Sequence, residues 1–81
     1  MKFEALVEVR LRPGISDPQG STIERALPAL GFTGVTDVRV GKAIRFALEA
    51  PDELAAKALS TEVTNRLLAN PVIEEAEVRL L

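Results

Sequence analysis

The first twelve residues alternate almost strictly between apolar and charged side chains, and this pattern constrains the fold more than any other. The apolar set is Phe3, Ala5, Val7, Val9 and Leu11, and the charged set is Lys2, Glu4, Glu8, Arg10 and Arg12. Leu6 is the single exception. Because successive side chains of a strand point to opposite faces, the alternation predicts a half-buried strand from Lys2 to Arg12. Pro13 and Gly14 end this strand, since proline lacks an amide donor and glycine permits a turn.

An amphipathic helix is predicted between Asp17 and Gly31. Asp17 is a good N-cap, and Pro18 suits the first helical position. Apolar residues then recur at helical spacing on one face, and they are Ile23, Ala26, Leu27 and Leu30. Pro28 is a misfit, because it removes a backbone hydrogen bond and should bend or tighten the last turn. Gly31 is the residue type expected just beyond a helix end.

Two strand-like runs follow, and the sequence leaves their connection open. Val35 to Val40 predicts a short strand, and Ala43 to Ala50 predicts another. Gly41-Lys42 lies between them. The two runs form either a hairpin that turns at the glycine or one long strand with a bulge at Gly41.

The second half of the chain predicts one more helix and one more strand. Pro51 at the first helical position, with acids after it, predicts the helix start. Asn70-Pro71 predicts its end, and Val72 to Leu80 predicts the last strand. The order strand, helix, strand, strand, helix, strand predicts a ferredoxin-like α+β sandwich in one domain spanning residues 1–81. In this fold two helices cover one face of an antiparallel sheet, and we expect a second copy to extend or cover the sheet.

Composition argues against several functional classes. The formal net charge is −2 and the only aromatic residues are three phenylalanines, so no nucleic-acid partner is expected. Cysteine and histidine are absent, which excludes disulfides and the usual zinc or copper sites and fits a reducing cytoplasm. No apolar run approaches the ~20 residues that span a bilayer, and an alternating strand stands where a signal peptide would begin. We therefore expect neither a membrane partner nor secretion.

Without histidine or cysteine, no nucleophile–base pair can be proposed. Glu74, Glu75 and Glu77 could bind a divalent cation, but such a cluster is more typical of a solvated strand face. Lys42 could contact phosphate or protein from a turn, although no further glycines stand at phosphate-binding spacing. The sequence thus favours a binding or assembly module and offers no catalytic, cofactor-binding or metal-binding residues.

The start of the first helix is a third candidate site. Free N–H groups from Asp17 to Ser21 could face an anion, but Asp17 occupies the cap and its charge opposes an anion. Gly20 costs about 0.5–1 kcal/mol relative to alanine within a helical turn. It is either tolerated near a fraying helix end or needed for close backbone approach by another chain.

Several segments of the chain carry a resemblance when they are taken together. They are Asp17-Pro18-Gln19-Gly20, Leu30-Gly31-Phe32, Asp37-Val38-Arg39-Val40-Gly41-Lys42 and Leu67-Leu68-Ala69-Asn70-Pro71-Val72-Ile73-Glu74. In the same order and over the whole chain, they resemble the PurS family, the small subunit of phosphoribosylformylglycinamidine synthase. Two features depart from the family pattern, namely Pro28 and the absence of an aromatic residue after Glu74.

The resemblance implies a role in the fourth step of de novo purine synthesis. In that step formylglycinamide ribonucleotide becomes formylglycinamidine ribonucleotide, with ATP and glutamine-derived ammonia. A large synthetase subunit carries the ligase chemistry, so ATP and Mg are expected there and no cofactor on this chain. A glutaminase subunit releases the ammonia. The small subunit has no catalytic residues, forms a homo-dimer or tetramer in the cytoplasm, and brings the other two subunits together.

The residues that match the family segments are candidates for partner contact. They are Asp17, Gln19, Gly20, Gly41, Lys42, Asn70 and Pro71. The alternative function is a small-molecule-binding regulatory domain of the ACT-like type, since similar sandwiches bind amino acids or nucleotides between paired copies.

Overall fold

A computed structural model describes all residues from 1 to 81 and contains three strands and two helices. The strands are β1 (Lys2–Leu11), β2 (Gly41–Glu49) and β3 (Glu74–Leu80), and the helices are α1 (Pro18–Ala26) and α2 (Glu53–Val63). The strands form one antiparallel sheet in the order β2-β1-β3. This arrangement confirms the predicted α+β class with an antiparallel sheet and two helices.

The core lies over the central strand β1. Its apolar row contains Ala5, Val7 and Val9, which are all buried. Val7 is paired with Ile44 of β2 on one side and with Val78 of β3 on the other. The helix α2 packs on β1 and β3 and buries Ala56. Only nine residues of the chain are buried, so the core is thin.

The strand predicted at Val35 to Val40 is wrong, and β2 begins only at Gly41. The chain passes through Gly41 without turning back, so the predicted hairpin is wrong as well. The physical reason lies in the backbone donors of the segment. The N–H of Val38 donates to Glu24 Oε1 at 2.9 Å, and the N–H of Val40 donates to Asp17 Oδ2 at 2.7 Å. The carboxylates of Glu24 and of the cap residue Asp17 thus accept the hydrogen bonds that these two N–H groups would otherwise donate to a neighbouring strand.

The helix ends follow the sequence signals closely. Asp17 caps α1, and the helix gives way to a 3₁₀ turn (Pro28–Leu30), as the missing donor of Pro28 predicts. Gly31 follows in the left-handed conformation with φ 94°. In the second helix the cap is Asp52, whose carboxylate accepts the Ala55 N–H at 2.7 Å, so Pro51 precedes the cap instead of occupying the first helical position.

The helix α2 does not continue as a regular α-helix to the predicted end at Asn70-Pro71. The helix widens into a π-helical turn (Thr64–Leu68), in which the N–H of Ala69 bonds to the carbonyl of Thr64 at 2.9 Å. A turn through Asn70 then leads to β3, which begins at Glu74 instead of Val72. Neither helix of the chain is long and apolar enough to cross a membrane.

Candidate functional site

The predicted contact residues gather at one end of the sheet, where β1 ends and both other strands begin. A shallow cavity of about 280 Å³ lies at this end. Four of the seven candidates line it, together with strand residues, and they are Asp17, Gln19, Gly41 and Lys42. Antiparallel pairing explains the clustering, because it places the end of β1 beside the starts of β2 and β3.

Asp17 is the centre of this end of the molecule. One carboxylate oxygen accepts the Gly20 N–H at 2.9 Å, and the other accepts the Val40 N–H at 2.7 Å. Arg39 Nε lies 3.9 Å from the second oxygen. Hydrogen bonds from Gly20 and then Val40 hold the pKa of the Asp17 carboxyl below its ordinary value, with a smaller contribution from Arg39, whereas burial acts in the opposite direction. The buried, ionised carboxylate therefore fastens the start of α1 to the residues before β2.

Glu24 makes a second contact between α1 and this segment, two turns beyond Asp17. Its carboxylate accepts the Val38 N–H at 2.9 Å across 14 residues of sequence. The sequence alone did not reveal this contact, and the position of Glu24 one helical turn beyond Gly20 was the signal that could have found it. Alternate backbone donors of residues 38 and 40 thus face α1, as alternate residues of an extended segment do.

Gly20 allows α1 to pack closely against the backbone of Val38 in the same chain. A Cβ at position 20 would lie 2.3 Å from the carbonyl oxygen of Val38 and 2.7 Å from Asp17 Oδ2. Gly20 is buried. The close approach predicted from the unfavourable glycine exists, but the approaching backbone is the chain's own Val38 and not that of another chain. Gly20 therefore sets the distance between α1 and residues 38–40, and its contact with a partner stays a prediction.

The Gly41-Lys42 pair starts β2 at the rim of the cavity. A Cβ at position 41 would lie 2.7 Å from the carbonyl oxygen of Val9, so glycine allows β2 to begin against the backbone of β1. Lys42 and Gln19 are exposed at the same rim. Their side chains are free to meet a partner, which makes them the candidates whose contact role the geometry allows most directly.

Asn70 and Pro71 form the turn into β3 beside this cavity. The side-chain oxygen of Asn70 accepts the Val72 N–H at 3.1 Å, and the Asn70 N–H donates to Glu74 Oε1 at 2.7 Å. The Pro71 carbonyl accepts Arg12 Nε at 3.0 Å. These contacts fix the turn against the end of β1.

Two arginines that sequence reasoning missed connect the parts of this site. Arg12 holds the Pro71 carbonyl, and its own carbonyl accepts Arg39 Nη2 at 3.3 Å. Arg39 in turn lies beside Asp17. Arg39 lies within one of the segments that resemble the PurS family, but its charge alone gives no signal for such a bridge. The result is one connected network from the Asn70-Pro71 turn to the cap of α1.

Two members of the acidic cluster, Glu75 and Glu77, lie on the sheet face away from the buried row and pair with arginines of β1, whereas Glu74 accepts the Asn70 N–H. Arg10 lies 3.3 Å from Glu75 and 3.9 Å from Glu77, and Arg12 lies 3.9 Å from Glu75. These residues are substantially exposed, so the pairs contribute little energy but cancel charge. Glu75 and Glu77 thus lie on an exposed strand face in which each carboxylate is beside a guanidinium group. The structure holds no group of three or more acidic residues arranged to bind a metal ion.

Comparison with known proteins agrees with this geometry. The family profile described as PurS, phosphoribosylformylglycinamidine (FGAM) synthase, matches residues 4–81. The phosphoribosylformylglycinamidine synthase subunit PurS of Mycobacterium leprae is 49% identical over 71 residues, which cover 88% of this chain and 86% of that protein.

Solved structures show the same fold. The crystal structure of the PurS subunit from Thermotoga maritima superposes with a TM-score of 0.92 at 37% identity, covering 100% of this chain and 93% of that one. A chain in the structure of PurLQS from the same organism superposes with a TM-score of 0.91 at 37% identity, covering 100% and 99%. This chain belongs to the PurS family.

Membership confirms the resemblance found in the sequence. The phosphoribosylformylglycinamidine synthase subunit PurS of Methanocaldococcus jannaschii is 38% identical over 78 residues, which cover 96% of this chain and 94% of that protein. None of the comparisons favours the alternative of a small-molecule-binding regulatory domain.

Proposed function

We propose that this PurS chain is the small, non-catalytic subunit of phosphoribosylformylglycinamidine synthase in de novo purine biosynthesis. The enzyme converts formylglycinamide ribonucleotide, glutamine and ATP into formylglycinamidine ribonucleotide. The observation that supports this most strongly is the full-length match to a chain of the Thermotoga maritima PurLQS structure, with a TM-score of 0.91. The chain would work in the cytoplasm, because a protein without cysteine forms no disulfides and is therefore compatible with a reducing compartment.

The partners follow from the same comparison. We propose that the chain binds a large synthetase subunit and a glutaminase subunit and brings them together, and that it also associates with further copies of itself as a dimer or tetramer. ATP and Mg would be bound by the large subunit, and this chain would bind no cofactor. In this assignment no carboxylate of this chain binds a cofactor, and Asp17, Glu24 and Glu75 instead make intramolecular hydrogen bonds and ion pairs.

The end of the sheet around Asp17 is our candidate for contact with those partners. Its backbone is held by the Asp17, Glu24 and Arg12 contacts, so binding would cost little ordering entropy. Lys42 and Gln19 stand exposed on this rigid support. A rigid, preformed surface of this kind suits a subunit whose work is assembly.

Reconstitution tests the proposed function. The large subunit and the glutaminase are mixed with and without this chain, and glutamine-dependent turnover and complex mass are measured. We expect both to depend on this chain, while turnover with free ammonia on the large subunit should persist without it. Unchanged glutamine-dependent turnover and mass on omission would rule the assembly role out.

A pair of lysine variants tests the location of the contact. Lys42→Glu reverses a charge at the proposed contact end, and Lys2→Glu makes the same change at the far end of the sheet, where Lys2 pairs with Glu49. We expect Lys42→Glu to weaken complex formation about 10-fold, within the range for one charged interface residue, and Lys2→Glu to leave it unchanged. Equal effects of both variants would show that this end is not a specific contact.

A further inference from the structure

The outer side of β3 is a free edge of the sheet. The Arg12 N–H bonds to the Ile73 carbonyl at 2.8 Å, and the Leu81 N–H bonds to the Glu4 carbonyl at 2.9 Å, so the odd-numbered residues of this segment bond to β1. Because bonding residues alternate in an antiparallel ladder, the even-numbered residues direct their backbone groups away from the sheet. These outward residues form the β3 edge, and they are Glu74, Ala76, Val78 and Leu80.

Most backbone groups of the β3 edge have no intramolecular partner. The Glu74 N–H bonds to the Asn70 carbonyl at 2.7 Å, but no hydrogen bond outside the ladder involves the backbone of Ala76 or Leu80. A row of unpaired N–H and C=O groups is a template for another strand. An added strand would also cover apolar surface, because Leu54 of α2 is 82% exposed and lines one shallow cavity together with Leu80.

The side chains of β3 are complementary to those of a second β3. In an antiparallel pair with Val78 on the two-fold axis, each Glu77 would lie opposite the partner's Arg79, so opposite charges would meet on the open face of the sheet. On the helix side, the two Val78 side chains would meet, and Ala76 would lie opposite the partner's Leu80. The side chains of β3 therefore offer no protection against pairing with a copy of the same strand.

Lys57 of α2 obstructs this pairing. Its Nζ donates to the outward carbonyl of Val78, so an ammonium group lies where the N–H of an added strand would have to lie. Pairing about Val78 would also bring the Lys57 ammonium groups of both copies to the same axis, where like charges repel each other. A lysine at a sheet edge is a common protection against strand addition.

We infer that Lys57 is a built-in block against strand addition at the β3 edge. Its ammonium group keeps an otherwise self-complementary strand unpaired. A chain that already associates with its own copies through another surface would form assemblies that do not close if this second edge were also available. Lys57 therefore limits the number of copies in the assembly, and this last step rests on the self-association included in the proposed function.

Substitutions of Lys57 test the block. Lys57→Met removes the ammonium group and keeps an unbranched side chain with good helix propensity, whereas Lys57→Arg keeps the charge and the donors. Lys2→Met is the matched control, because it removes the same charge from the central strand β1, outside the residues that pair with β3. Mass is measured by size-exclusion chromatography with light scattering over a range of protein concentrations, with circular dichroism as the check on folding.

The expected result is additional association in Lys57→Met alone. At ~200 μM, where a contact of micromolar affinity is largely occupied, its mean mass should be at least twice that of the wild type. Lys57→Arg and Lys2→Met should have the wild-type mass. A Lys57→Met protein with the wild-type mass at every concentration would overturn the inference. An equal rise of mass in Lys2→Met would do the same, because it would show a general effect of lost charge.

A second substitution shows whether the additional contact is made by β3. Ala76 is exposed and its outward N–H is unpaired, so Ala76→Pro removes a donor that an added strand would use and the chain itself does not. The double variant with Lys57→Met and Ala76→Pro should return to the wild-type mass. Excess mass that survives the proline would place the contact on another surface and contradict the assignment to the β3 edge.

Two further variants keep the test informative if one of these proteins misfolds. Lys57→Gln removes the same charge as Lys57→Met and should likewise raise the mass. Glu77→Arg, added to Lys57→Met, would set like charges opposite each other across the β3 pair and should lower the mass again, as the proline does. All of these measurements use this chain alone, so an unexpected result would leave glutamine-dependent turnover, which tests the proposed function, unaffected.

Discussion

Replacing Gly20 by alanine should destabilise this protein, although the same change stabilises most helices. Gly20 lies in the first turn of α1, where alanine gains up to about 1 kcal/mol in helix propensity. The added Cβ would lie 2.3 Å from the Val38 carbonyl oxygen, closer than any real contact of this kind. The neighbouring atom is backbone, so it cannot rotate away as a side chain could.

The magnitude follows from what must move. Overpacking of a tight contact costs about 1–3 kcal/mol. Separation of α1 from residues 38–40 also weakens the bond from Val38 to the Glu24 carboxylate, which is worth up to about 1.5 kcal/mol at this partly buried position. After the gain in helix propensity, we expect Gly20→Ala to lower the free energy of unfolding by about 2 kcal/mol.

Urea unfolding followed by circular dichroism measures this change, at one fixed protein concentration for all variants. Gly34→Ala is the matched control, because a Cβ at position 34 meets nothing within 4 Å. We expect the control to be neutral or slightly stabilising. A Gly20→Ala protein as stable as the wild type would refute the argument that the Val38 backbone excludes a side chain at this position.

Three further predictions concern single residues. The pKa of Asp17 is below its ordinary value of 3.8, so its carboxylate contributes its full stabilisation above that pH. This contribution is lost as the pH falls through the folded-state pKa. Asp17→Asn should therefore remove this part of the acid dependence of the unfolding free energy, measured by urea titrations at pH 2 to 6. Gly31→Ala should cost about 1 kcal/mol, because φ is 94° there, and equal melting temperatures would contradict this. Ser60→Ala should raise the unfolding free energy by about 1 kcal/mol, since Ser60 Oγ is buried without a hydrogen-bond partner. A melting temperature of the variant below that of the wild type, measured by calorimetry, would contradict this.

The elements that the sequence predicted well are those whose signals are local. The alternation in β1, the Asp17 cap, the Pro28 disturbance and the Gly31 stop each depend on neighbours within a few residues, and the structure shows all of them. Parts of three family segments, around Asp17, Gly41 and Asn70, lie at one end of the sheet, because antiparallel pairing places the end of β1 beside the starts of β2 and β3.

The failures came from contacts between distant residues. Val38 and Val40 have the composition of a strand, but their donors are taken by carboxylates 14 and 23 residues away. Periodicity records which side of an element is apolar and carries no information about where its backbone hydrogen bonds go. For the same reason the bridging roles of Arg12 and Arg39 could not be predicted, and Gly20 could be recognised as unusual without its neighbour being identified.

The hydrogen bonds at the two chain ends make this protein suitable for circular permutation. Met1 bonds to Ala50 and the N–H of Leu81 bonds to the carbonyl of Glu4, so both termini lie at the same end of the sheet on adjacent strands. Three residues of extended chain span roughly 10 Å, which a short glycine-rich linker can bridge. New termini opened at the exposed Thr33-Gly34 loop would then leave every strand pairing intact.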